Sequence, residues 1–256
     1  MASPTPTVFF SPGMFHTPWI FDTVRSKLSD RGFATGASNL VSASTAIEAA
    51  SEGMLSDAKH LRSLLLNLIE LGKEVVFVAH SYGGVVVSNA VQGLSVQQRA
   101  AEGKQGGIVM IIYLCALVIP AGQNVLSIAD PASLPWDETG DGFIVSNNPL
   151  HHFYADVEPS LAAKAVDALK PMSSKILTDV ATYEPWNQGF NVGYIFTDND
   201  NVLSTDAQKT MFAQFPDGSF TATLACGHSP FFNIPDALVD TIQDGINYAL
   251  KKGVST

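Results

Sequence analysis

Hydrophobic positions change their period repeatedly along the chain. Thr7–Ser11, Val75–Val78, Ile108–Leu117, Val192–Phe196 and Ser219–Leu224 are short runs rich in β-branched or aromatic residues, the pattern of strands buried on both faces. Between them apolar residues recur at helical spacing. Ile20, Val24 and Leu28 predict a helix over Trp19–Asp30, and Leu61, Leu64, Leu65, Leu68 and Ile69 share one face of a helix over Ala46–Leu71, stopped by Gly72. Further helices are predicted over Gly83–Gln98, Thr205–Phe215 and Pro235–Lys251, and a second strand over Phe33–Asn39. Strands alternating with helices predict an α/β fold, a mostly parallel sheet covered by helices on both faces. The stretch from Pro120 to Trp186 breaks the alternation, with Pro, Gly and Asp first and then a helical segment over Glu158–Leu169. It is expected to be an insertion above the sheet, within a single domain over residues 1–256.

Composition narrows the function classes. With 46% hydrophobic and 15% charged residues the chain can bury a large core, and its net charge of −10 with no Lys/Arg cluster argues against nucleic-acid binding. The longest apolar run, Ile108–Ile119, is too short for a bilayer, and Met1–Thr7 has no basic leader region. Two cysteines, Cys115 and Cys226, and the absence of an Asn-x-Ser/Thr sequon lead us to expect a reducing, cytoplasmic location and no membrane association.

Chemistry concentrates at Val75-Val76-Phe77-Val78-Ala79-His80-Ser81-Tyr82-Gly83-Gly84. A buried strand turning sharply into a helix with serine at the bend is a nucleophile elbow, which needs small residues two before and two after the serine. Ala79 and Gly83 supply them. A serine hydroxyl needs a base, and among six histidines His228 follows the last predicted strand, where a loop lies over the carboxyl edge of the sheet. His80 adjoins the serine and is expected to point elsewhere. His151, His152 and Asp156 lack metal-binding spacing, so no metal or cofactor is expected. The triad order Ser, Asp, His places an acid at the end of Val192–Phe196, where Asp198 and Asp200 compete. Asp200 is preferred because the acid must leave the strand end to reach the histidine. Two backbone N–H groups should form an oxyanion hole. Tyr82 supplies one, and the loop after the first strand supplies the other through Met14, with Gly13 letting the loop turn inward.

These residues resemble the α/β-hydrolase family, in particular its small esterases and lyases similar to plant methyl-ester hydrolases and hydroxynitrile lyases. Pro12 through Trp19 is similar to the family's His-Gly-Ala-Trp-His-Gly-x-Trp loop, with Pro12 in place of the first histidine. The resemblance of Tyr194–Leu203 to the acid-bearing strand end puts Asp200 on the acid, and Phe153–Met172 resembles a helical cap, so residues 120–186 are expected to cap the site. Such lyases carry lysine after the histidine; here Ser229 stands there, which favours hydrolysis. The expected substrate is a medium-sized hydrophobic ester or lactone, contacted by Phe15, His16, Trp136, Phe153, Tyr154 and Trp186. The alternative is a non-hydrolytic small-molecule binder or a lyase on the same fold.

Overall fold

The structure, a computed structural model, describes residues 5–129 and 134–253, so Met1–Pro4 of the N-terminal reading lie outside it. The sheet strands are β1 (Thr7–Ser11), β2 (Thr35–Ala37), β3 (Glu74–His80), β4 (Gly107–Leu114), β8 (Val192–Thr197) and β9 (Phe220–Leu224), while β5 (Trp136–Glu138), β6 (Phe143–Ser146) and β7 (Met172–Ser173) lie in the insertion. The former make one six-stranded sheet in the order β2-β1-β3-β4-β8-β9, and every neighbouring pair is parallel. This is the α/β-hydrolase fold expected from the sequence.

Period-two alternation divides the core. Phe9 of β1, Phe77 of β3 and Tyr113 of β4 face α2 (Met54–Ile69) and α3 (Gly83–Ala90), whereas Val8, Phe10, Val76, Val78 and Ile112 face α1 (Asp22–Asp30) and α9 (Pro235–Gly253). Each fully buried side chain of this size is worth about 1.5–3 kcal/mol, so a register slip of one residue would exchange the two faces at prohibitive cost.

Several expected elements are shorter or divided, and for two helices the reason is tertiary. The helix expected over Ala46–Leu71 splits into a 3-10 turn, Ile47–Ser51, and α2. The chain is extended at Gly53, where a β-carbon would lie 2.0 Å from Asp179 Oδ2, and the same oxygen accepts the Leu55 N–H at 3.2 Å. A carboxylate from the insertion thus starts α2. The helix expected over Gly83–Gln98 ends at Ala90, because Arg62 takes the carbonyls of Ala90 and Gln92 at 2.7 and 2.8 Å, and α4 (Val96–Ala101) restarts from a Ser95 cap. The strand expected to reach Leu117 stops at Leu114, since Cys115 adopts φ 36°. The second strand is confined to Thr35–Ala37.

The insertion contains α5 (Pro149–His152) and α6 (Pro159–Asp167), the latter matching the expected helical segment, but also the antiparallel sheet β5-β6-β7, which the sequence pattern did not announce. Its strands have two to four residues, too few for a period to register. The fold closes with α7 (Thr205–Phe212), α8 (Pro230–Asn233) and α9. Among the described residues no helix is long and apolar enough to cross a membrane.

Candidate active site

Ser81 leaves the end of β3 at φ 53°, a left-handed conformation that costs a non-glycine residue about 1–3 kcal/mol. The surroundings hold it there. Its N–H donates to Leu114 O at 3.2 Å, and its carbonyl accepts from Leu117 and Gly84 N–H at 2.9 and 3.0 Å. A β-carbon on Gly83 would come within 2.7 Å of Ser11 O, and one on Gly84 within 2.4 Å of Leu117 O. Glycine at both positions is what lets helix and strand backbones meet.

His228 is buried in the loop between β9 and α8, with its Nδ1 2.8 Å from Asp200 Oδ2. The carboxylate accepts four hydrogen bonds in all: Oδ2 also takes the Thr197 hydroxyl at 2.9 Å, and Oδ1 takes the N–H groups of Val202 and Leu203 at 2.7 and 2.9 Å. Burial pushes the Asp200 pKa up, but the neighbouring His228 charge and these hydrogen bonds outweigh burial and hold it below the ordinary value. An ionised acceptor at Nδ1 keeps the proton on that nitrogen and leaves the lone pair on Nε2. Asp198 is exposed, and its carboxylate accepts from Asn199 Nδ2, so geometry resolves the competition between the two acids in favour of contact by Asp200. The His80 ring lies 4.7 Å from that of His228, and its Nε2 contacts the His228 carbonyl at 2.9 Å. That carbonyl can only accept, so His80 donates from Nε2.

The loop after β1 approaches the serine closely: a β-carbon on Gly13 would lie 2.8 Å from Ser81 Cβ. Phe15, at φ 66°, turns the loop. Its N–H donates to Met172 Sδ at 2.8 Å, and its carbonyl accepts from Lys170 N–H at 2.9 Å. No turn, loop or cap hydrogen bond among the described residues takes the N–H of Met14 or Tyr82. The Tyr82 side chain is anchored away from the loop, donating to Asp57 Oδ2 at 2.9 Å, where Ser42 Oγ also donates at 2.6 Å. Burial raises the Asp57 pKa. The sequence reading overlooked this buried acid, because one aspartate on an amphipathic helix looks like a surface residue.

A cavity of about 390 Å3 opens on Ser81 and Met14. Leu117, Trp136, Leu203, Ala207 and Met211 contribute apolar wall, while Asn201 and Ser204 add polar edges. Of the six side chains expected to touch substrate, Trp136 lines this cavity, and Phe15, His16, Phe153, Tyr154 and Trp186 do not. Phe153 packs on the His228 ring at 5.8 Å and Trp186 on Phe215 at 5.8 Å. Large rings bury the most apolar area, and here they seat the insertion on the sheet. The aliphatic wall from α7 was missed because lining residues on an amphipathic helix carry the same spacing as core residues.

His16 accepts and donates as one fixed tautomer. Its Nδ1 donates to Met14 O at 2.6 Å and its Nε2 accepts from the Tyr154 hydroxyl at 2.9 Å. Burial lowers its pKa from 6.5 to about 4. Between those values the unfolded chain binds a proton that the folded chain rejects, so stability present above pH 6.5 is lost as pH falls toward 4, by about 3 kcal/mol. His80, pushed down mainly by burial, acts in the same direction. Urea midpoints at pH 7 and pH 4.5 should show this loss, and His16→Asn, which keeps a donor for Met14 O, should flatten it. An equally steep loss in the variant would contradict the assignment.

Among the described residues one set of metal-capable groups, His80, Cys115 and His228, has ligand atoms within 4.8 Å of one another. His80 Nε2 and His228 Nδ1 are engaged as described, and burial holds the Cys115 thiol protonated. His151 is exposed, and His152 Nε2 contacts Asn147 Oδ1.

The family model described as "Alpha/beta hydrolase family" matches residues 8–241. The chain belongs to this family. As an enzyme of the α/β-hydrolase type it is similar to the alpha/beta hydrolase nvfD of Aspergillus novofumigatus, 24% identical over 96% of this chain and 98% of that one. Among solved structures it is similar to methylesterase MES16 from Arabidopsis, with TM-score 0.76, 21% identity and coverage of 94% and 99% of the two chains. A pyrethroid hydrolase from Sphingobium faniae superposes with TM-score 0.72 and 16% identity over 94% and 97%. At these identities the structural matches establish a shared fold.

Proposed function

We propose that this hydrolase cleaves a carboxylic ester or lactone of a medium-sized hydrophobic small molecule through an acyl-Ser81 intermediate. The observation that carries the reading is that Ser81 opens on a mostly apolar cavity where, among the described residues, the one ionised wall residue is Asp200, already committed to His228. Among the described residues a charged ligand would find no free counter-ion there, whereas an uncharged apolar group of fitting size buries favourably. The methylesterase name of one structural relative agrees with an ester substrate.

In this reading Ser81 Oγ attacks the carbonyl carbon while its proton passes to His228 Nε2, and the Met14 and Tyr82 N–H groups receive the oxyanion. Collapse expels the alkoxide, which takes the proton back from His228. Water then attacks the acyl-enzyme by the same route and releases the acid. Residues 120–186 act as the cap, contributing Trp136 and neighbours to the cavity wall. Asp200 keeps the imidazole in the tautomer that can accept the proton.

A panel of esters and lactones graded in acyl size tests the proposal directly, with Ala207→Phe as the probe of the cavity. The added ring fills part of the wall, so kcat/KM for the bulkiest good substrate should fall at least about tenfold relative to an acetyl ester. Equal losses for large and small esters would remove the cavity from the substrate path. Stoichiometric labelling by a phosphonate with no turnover of any ester would instead support a binder with an idle triad.

A further inference from the structure

We infer that Asp156, in the insertion, is a positioning residue for the general base: it holds the N–H of Gly227, the residue immediately before His228. This rests on the assignment of His228 as base. His228 and the residue before it are held at three points by four parts of the chain. Asp200 takes its ring Nδ1, and its carbonyl accepts from His80 Nε2 at 2.9 Å and the Cys115 thiol at 3.7 Å. The third hold is Asp156 Oδ2, which accepts the Gly227 N–H at 2.6 Å and the Asn233 side-chain amide at 2.8 Å. One oxygen thus ties the loop before the base to the end of the short helix after it.

The residue types explain why an external hold is needed. Gly227 has no side chain to restrict its backbone, so the loop would gain freedom one residue from the base. Yet glycine is required, because a β-carbon there would meet Asp156 Oδ1 at 2.8 Å and the carboxyl carbon at 3.2 Å. Gly227 does not use a positive φ, so the requirement comes from this contact and not from backbone conformation. Asp156 Oδ1 is buried without a hydrogen-bond partner, a burden on stability that fits a group retained for the short charge-assisted bond made by its other oxygen. Phe153, in the same segment, packs against the His228 ring, and Tyr154 reaches His16. Seating of the insertion is thereby coupled to the geometry of the base.

The test uses Asp156→Ala, Asp156→Asn and Gly227→Ala in the full-length protein, with three readouts. Displacing a catalytic group by about 1 Å costs about 100-fold, so Asp156→Ala should lower kcat by that order with little change in KM. Asp156→Asn, whose amide oxygen can accept both bonds, should recover to within about fivefold of the parent. Gly227→Ala, which pushes the carboxylate away, should reproduce the loss and not add to it. In a His228→Ala background Asp156→Ala should have no further effect on the residual rate, and the low-field proton resonance of the His228 Nδ1–H bond should shift or broaden in both disruptive variants. Full kcat with an unchanged resonance overturns the inference, as does an equal loss in the His228→Ala background. If Asp156→Ala does not fold, Asp156→Asn and Gly227→Ala decide by the same criteria. If no ester is turned over at all, the proposed reaction fails, and the resonance alone still tests the clamp.

Discussion

Ser81→Ala is expected to abolish labelling by an active-site phosphonate and to lower kcat by about 10⁴–10⁶, because nucleophile and base act as a unit. The substitution removes only an oxygen, and alanine must still adopt the left-handed conformation imposed by the hydrogen bonds to Leu114, Leu117 and Gly84. The fold should therefore survive, and the loss should be confined to chemistry. His228→Ala should cost a similar factor. The check is single-turnover kinetics with a chromogenic ester beside intact-mass analysis of the labelled protein. Turnover near the parental rate in Ser81→Ala would end the acyl-enzyme mechanism, whatever the fate of the substrate assignment.

Asp200→Asn is expected to cost about 10⁴ in kcat while leaving cooperative melting intact. The direction follows from how the side chain is held. The Val202 and Leu203 N–H groups both point at Oδ1, so the asparagine oxygen must take that site and its NH₂ must take the site of Oδ2. Oδ2 is the atom that contacts His228 Nδ1. A donor there forces the imidazole proton onto Nε2 and removes the lone pair that would accept the serine proton. Asp198→Asn, on an exposed side chain, should stay within about tenfold, or roughly 1.4 kcal/mol in barrier. Steady-state kinetics of the two variants on one ester separates them; reversed effects would move the acid to Asp198 and leave the buried Asp200–His228 contact without a catalytic role.

Much of this architecture was legible because short-range rules govern it. Short apolar runs such as Val75–Val78 and Val192–Phe196, alternating with segments of helical spacing, read as strands buried on both faces, and serine flanked by Ala79 and Gly83 at the end of one of them forms the elbow. The order of Ser81, an acid after β8 and His228 after β9 follows from the chain order of the strands. Other features depended on partners distant in sequence. Asp179 divides a continuous helical pattern at Gly53, Arg62 ends α3, and neither event leaves a mark in local periodicity. Aromatic residues of the insertion look alike as substrate contacts or as packing, and their burial assigned most of them to packing.

The sequence by itself determined the α/β class, the strand-to-helix turn at Ser81 and the position of the base-bearing loop, since each rests on hydrophobic period, glycine placement and chain order. Only the tertiary structure decided that Asp200 and not Asp198 meets His228, that aliphatic residues of α7 and Trp136 form the cavity, and that Asp156 holds Gly227. Those outcomes turn on which side chains from separate segments fall within hydrogen-bond or van der Waals reach. Such interactions decay over one or two ångströms, a scale that residue spacing along a chain does not encode.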